Sequence, residues 1–149
     1  SIGLEHESIT TFHLAMLASM MANRGTLTTP RIYRARRSIL GELTAAPPKQ
    51  TTSQVIPRAA AEEVIKAMRA VVTRPTGTGR RAAVPGITLA MKTGTAGQRA
   101  DGFDSLIMAF APADDPKIAF AIIAENAGPA EFAAAKIAHD FVSAVLPNL

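Results

Sequence analysis

The chain has 149 residues, 48% apolar and 19% charged, with a formal charge of +4, ten glycines, ten prolines and no cysteine. That composition gives one packed domain or part of one, and excludes a disordered, collagen-like or disulfide-stapled chain. The longest apolar runs, 14–22 and 118–124, fall short of the roughly 18 residues that cross a bilayer.

In chain order, the first predicted element is a helix over 11–23. Thr10 supplies an N-cap hydroxyl, Leu14, Leu17, Ala18 and Met21 recur at helical spacing, and Gly25 offers a left-handed stop. Residues 26–56 read as irregular, broken by Thr28-Thr29-Pro30 and Ala46-Pro47-Pro48. A second helix over 57–72 turns Val64, Ile65, Met68, Val71 and Val72 inward, and Gly77-Thr78-Gly79 closes it. From Ile87 the period changes to two, giving a strand over 87–95. Apolar runs at 105–111 and 118–125 flank the turn Ala113-Asp114-Asp115-Pro116 and read as a hairpin. A last helix over 130–146 presents Ile137, Ala138, Phe141, Val142 and Val145. This order predicts an α+β architecture, an antiparallel sheet flanked by helices.

The basic residues crowd at Arg31, Arg34, Arg36 and Arg37 and again at Arg74, Arg80 and Arg81. No aromatic interleaving or recognition motif accompanies them, so they read as a solvated surface and no nucleic-acid partner is expected. His6, His13 and His139 lack metal-ligand spacing, and Glu62–Glu63 and Asp114–Asp115 are a helix face and a turn rather than a catalytic pair. No metal or cofactor is expected.

The stretch that carries chemistry is Lys92-Thr93-Gly94-Thr95, inside the strand over 87–95. A strand sends Lys92 and Gly94 one way and Thr93 and Thr95 the other. Gly94 leaves the backbone open to a close approach, Lys92 adds a positive charge and the threonines add hydroxyls. These suit a ligand carboxylate laid along a strand edge, and we expect the Lys92 ammonium and both hydroxyls to line one groove. Three residues alone match by chance. The surroundings narrow the reading: Ala22-Asn23-Arg24-Gly25-Thr26, Gly77-Thr78-Gly79, Pro85-Gly86, the Lys92 strand, Phe110-Ala111-Pro112 and Glu125-Asn126 follow in this order.

In that order and spacing the chain resembles the class B penicillin-binding proteins, from the first helix to the last apart from residues 31–56. The resemblance implies the C-terminal portion of one transpeptidase domain, with the fold shared by serine β-lactamases. It implies a serine acyl transfer that cross-links peptidoglycan stem peptides ending in D-Ala-D-Ala, and acylation by β-lactams. Lys92 would then stand beside the serine of an S-x-N element, Thr93 and Thr95 would hold the substrate carboxylate, and the Thr95 amide would donate to the oxyanion. It further implies an extracytoplasmic site, on the periplasmic side of the membrane, anchored by a segment outside this chain.

Two positions depart from the family pattern: Met91 stands where glycine precedes the lysine, and Leu106-Ile107 replace an aromatic pair. A larger departure is that none of the seven serines is followed three residues on by lysine, or two on by asparagine. The chain opens on Ser1-Ile2-Gly3, and the expectation is that S-x-x-K and S-x-N lie upstream, in an N-terminal half that would be its partner. Without that half, a bare sheet edge would favour self-association.

Three rivals stand beside this reading. Gly86–Thr93 matches P-loop spacing except at Met91, but a P-loop lysine opens a helix. A non-catalytic β-lactam sensor or degenerate binding domain of the same fold would tolerate the departures. A serine β-lactamase would share the strand.

Overall fold

A computed structural model describes residues 9–31, 33, 35–45, 49–98 and 102–149. His6, Arg34 and the Ala46-Pro47-Pro48 break lie outside them. The frame is a three-stranded antiparallel sheet of β5 (Ala90–Gln98), β6 (Gly102–Ala111) and β7 (Ile118–Ala124), in that order. Its strands alternate between two cores. Met91, Ile107, Ala109 and Phe120 pack with Ala134, Ala135, Ala138 and Val142 of α3 (Ala134–Val145). On the opposite face Ala90 and Phe110 pack with Met20 and Met21 of α1 (Thr11–Ala22) and with Ile65 and Met68 of α2 (Arg58–Thr73). The expected helix–sheet architecture is therefore present, with helices on both faces.

The inward stripes differ from the expected ones. Leu17, Val64 and Ile137 are exposed; Ala18 and Ala138 are fully buried as expected, and Ala61, Ala134 and Ala135 join them. Alanine has no bulk beyond Cβ, so it fits the closest helix–sheet approach, beside the larger Met21, Ile65, Met68 and Val142 that are buried as well.

The first helix begins as expected, the Thr10 hydroxyl accepting from the His13 amide at 3.1 Å. At its end Gly25 takes the expected left-handed conformation, φ 87°, preceded by a second left-handed residue, Arg24, with φ 54°. Arg24 N donates to Met21 O and Gly25 N to Met20 O, each at 2.9 Å, which closes the last turn in the Schellman pattern. Residues 26–56 are not irregular throughout. β1 (Thr26–Thr28) pairs with β4 (Thr52–Gln54), and β2 (Arg36–Arg37) with β3 (Leu43–Ala45), both antiparallel. Strands of two or three residues are too short to show an apolar alternation.

The sheet strands are displaced from their expected bounds. β5 starts at Ala90 because the chain first turns at Gly86, where φ is 78° and Val84 bridges to Ile87. Thr88 then serves the hairpin turn, its carbonyl and hydroxyl both accepting from Ala113 N at 2.8 and 2.9 Å. β6 starts three residues early, and the last helix starts at Ala134, after a turn from Ala130, rather than at 130.

The Gly25 turn and the Asp114 pair can each be tested. A Cβ at Gly25 would collide with the Ile56 carbonyl oxygen, in a backbone region that L residues avoid. Gly25→Ala is expected to lower stability by about 1–3 kcal/mol in urea denaturation. Asp114, in the turn after β6, is paired with Arg69 of α2 at 2.5 Å. The Thr88 hydroxyl first, and then the Arg69 guanidinium, hold its carboxyl below the ordinary 3.8. A depressed folded-state value means the contribution is complete above the unfolded value and is lost as pH falls through the folded one. Melts between about pH 5 and pH 2 should show a shallower acid loss for Asp114→Asn than for the parent.

Candidate functional site

β5 is an edge strand whose neighbour among the described residues is β6, with Lys92 opposite Met108, Thr93 opposite Ile107, Gly94 opposite Leu106 and Thr95 opposite Ser105. Met91 anchors the strand. It is fully buried against Gly79, where an added Cβ would collide with the Met91 sulfur. The departure at Met91 therefore goes into the core and leaves the strand edge uncrowded.

With Met91 turned inward, Thr93 and Thr95 share its face. Thr93 is only 8% exposed, and its hydroxyl lies 2.6 Å from that of Thr78, which the Gly77-Thr78-Gly79 loop brings over the strand. The Thr95 hydroxyl accepts from Ala130 N at 3.3 Å. The segment after β7 is held there by a series of bonds. Asn126 N donates to Asp104 Oδ1 at 2.9 Å, Gly128 N to Phe103 O at 2.9 Å, and the buried Ser105 hydroxyl to Gly128 O at 2.5 Å. The result is a pocket of about 240 Å³ lined by Thr78, Thr93, Gly94, Thr95 and residues 129–131. Three threonines line it, and Glu131 is its acidic group.

Lys92 is elsewhere. Its side chain is exposed, and its ammonium donates to the Thr93 carbonyl. The expectation of one groove holding the ammonium and both hydroxyls is corrected: strand alternation puts the threonines in the pocket and turns Lys92 to the other face. What they share is the strand edge, at Gly94. A Cβ there would meet only Leu106 Cβ, at an ordinary 3.5 Å. The described chain itself thus leaves room at Gly94 that it does not fill. Leu106, partly exposed beside it, and Ile107, in the core, take the places of the aromatic pair.

Lys92 and Thr93 lie inside a strand and open no helix, which removes the P-loop reading. Among the described residues no group of three His, Cys, Asp or Glu side chains could hold a metal ion. Two contributors were not singled out from the sequence as site residues. Thr78 read as part of a loop, and residues 129–131 read as the approach to a helix. Each reaches the pocket across 15 or more residues, a separation that no local periodicity reports.

The model of the penicillin-binding protein transpeptidase domain family matches residues 1–146. The chain belongs to that family. This is the family its motifs resemble. It is 30% identical over 135 residues to the peptidoglycan D,D-transpeptidase PbpA of Mycolicibacterium smegmatis, covering 86% of this chain and 26% of that protein. The chain thus spans about a quarter of that relative's length. Among solved structures, the D,D-transpeptidase domain of a peptidoglycan glycosyltransferase from Eggerthella lenta superposes with a TM-score of 0.79 at 31% identity, over 93% of this chain and 32% of that one. Penicillin-binding protein A of M. tuberculosis, solved as its imipenem acyl-enzyme complex, gives a TM-score of 0.83 at 25% identity, over 97% of this chain and 32% of that one.

The Thr78–Thr93 contact is the joint between loop and strand. In a double-mutant cycle of Thr78→Val and Thr93→Val, urea denaturation should show a coupling of about 1 kcal/mol, the size of a net neutral hydrogen bond.

Proposed function

We propose that this chain is the C-terminal portion of a transpeptidase domain and supplies the substrate-binding strand of a peptidoglycan D,D-transpeptidase. The observation that carries the reading is the edge of β5: a family Lys-Thr-Gly-Thr stretch beside a pocket lined by Thr78, Thr93 and Thr95, with no side chain at Gly94 to crowd it. A peptide ending in D-Ala-D-Ala would lie along that edge. Thr93 and Thr95 would bind its terminal carboxylate, and the Thr95 amide would donate to the carbonyl oxygen as it gains charge. Lys92, from the other face, would support proton movement and the carboxylate by charge. A serine from an S-x-x-K element in a partner half would attack the penultimate carbonyl carbon. The terminal D-Ala would leave as the amine, carrying a proton, and the acyl group would pass to an amino group of a second stem peptide. β-Lactams would acylate the same serine.

The non-catalytic reading rested partly on Met91. Because Met91 packs in the core, that ground for degeneracy falls away. A substrate of this kind implies an extracytoplasmic site, and a membrane anchor would come from elsewhere: no helix of the described residues is long and apolar enough to cross a membrane. Among the described residues the outer edges of β5 and β7 have no strand beside them, which supports self-association of the isolated chain through the sheet.

The chain alone, incubated with a labelled penicillin, should show no added drug mass in mass spectrometry. An adduct on one of its own serines would overturn the division of labour. In a polypeptide that also carries S-x-x-K, Lys92→Ala should slow acylation by about 10²-fold, as loss of a proton-transfer group does. Thr95→Val should slow it by roughly 10-fold or more, as loss of a hydrogen bond to a charged group does. Normal acylation by both variants would remove the proposed roles.

A further inference from the structure

The β2–β3 hairpin has no part in the site, and its chemistry runs against its position. Its tip is Ser38-Ile39-Leu40-Gly41, where polar residues are usual. Ile39 is 103% exposed and Leu40 81% exposed, and Leu43 beside them is exposed as well. The tip is not loose chain. Ser38 N donates to Glu42 O at 2.8 Å and Gly41 N to Ser38 O at 3.0 Å, while the Ser38 hydroxyl accepts from the Leu40 and Glu42 amides at 3.2 and 3.3 Å. These bonds order the turn and leave two large aliphatic side chains as its exposed end.

Behind that end stands a collar of cations. Arg36 and Arg37 form β2, and the Arg37 guanidinium donates to Gly41 O at 2.9 Å, at the base of the tip. Five of the 16 basic residues and one of the 12 acidic ones fall between Arg31 and Lys49. This segment therefore carries +4, the entire formal charge of the chain, and the remaining 130 residues balance at eleven of each sign.

We infer that the β2–β3 hairpin is a membrane-surface contact, inserting Ile39 and Leu40 into the interface of an anionic bilayer while the arginines meet the headgroups. An apolar end with cations set two to four residues back has the layering of that interface, acyl region first and phosphates behind it. A polyanion without acyl chains would use the arginines and leave the aliphatic tip in water. The inference rests on the hairpin alone and is independent of the transpeptidase reading.

The test uses the 149-residue chain and lipid vesicles. The chain should co-sediment with phosphatidylglycerol-containing vesicles, less so as salt is raised, and much less with pure phosphatidylcholine. Because the chain has no tryptophan, Leu40→Trp places a single reporter at the tip, and its emission should shift to the blue on adding anionic vesicles. Ile39→Ser with Leu40→Ser should weaken binding by about tenfold or more. Arg31→Gln with Arg36→Gln should weaken it and flatten the salt dependence. All four positions are exposed, and circular dichroism checks that the variants fold. Absence of vesicle binding, which would leave a soluble protein as the tip's partner, overturns the inference. So does binding that survives the double serine variant, as a lipid-free polyanion site would, or the lack of any blue shift in the Leu40→Trp variant.

Discussion

The burial of Met91 under Gly79 sets the phase of β5, and the rest of the site depends on it. Once that side chain is committed to the core beneath α3, Thr93 and Thr95 must follow it to the same face and Lys92 and Gly94 must take the other. A one-residue slip would exchange the hydroxyls for the ammonium. The pairing with β6 reinforces the phase, since Ile107 and Ala109 are buried on the same side. The residue that departs most visibly from the family pattern is thus the one that fixes the geometry of the motif behind it.

The remaining walls of the pocket are brought to this strand by polar contacts that add to apolar ones, Gly79 lying on Met91 and Ala130 being buried in the same core. The Gly77–Gly79 loop is joined through the paired hydroxyls of Thr78 and Thr93, and the chain after β7 is tied down by Ser105 and by backbone bonds to Phe103. Neutral hydrogen bonds of this kind contribute about 1 kcal/mol each, well below the burial of a core aliphatic. The hydrogen bonds therefore place the walls, while burial of Met91 and Ala130 in one core carries the larger share of holding them.

What was legible in the sequence follows from the range over which each signal acts. The three long helices and the three sheet strands were read from periodicities that operate within a few residues. Their ends moved where a distant partner intervened, as at Thr88, which faces Ala113 instead of extending β5. The inward faces differ at Leu17, Val64 and Ile137, since apolar periodicity alone does not separate the centre of a stripe from its flank. The short ladders within 26–56 were not legible at all: strands of two or three residues with exposed arginines and threonines offer neither alternation nor apolar runs. In the site, Lys92, Thr93, Gly94 and Thr95 were visible as a motif. Its wrong element was the common groove, which ignored the alternation already evident in the same four residues. Thr78 and residues 129–131 could be found only in three dimensions.

The concentration of net charge between Arg31 and Lys49 also has a kinetic meaning. A body that is neutral over most of its length and cationic in the segment that carries one hairpin has a charge distribution that an external field can turn. Within about a Debye length, roughly 8–10 Å at ordinary salt, a negatively charged surface exerts a torque on it before any atoms touch. Encounters with such a surface are then not random in orientation. The hairpin arrives first, ahead of the neutral remainder of the chain.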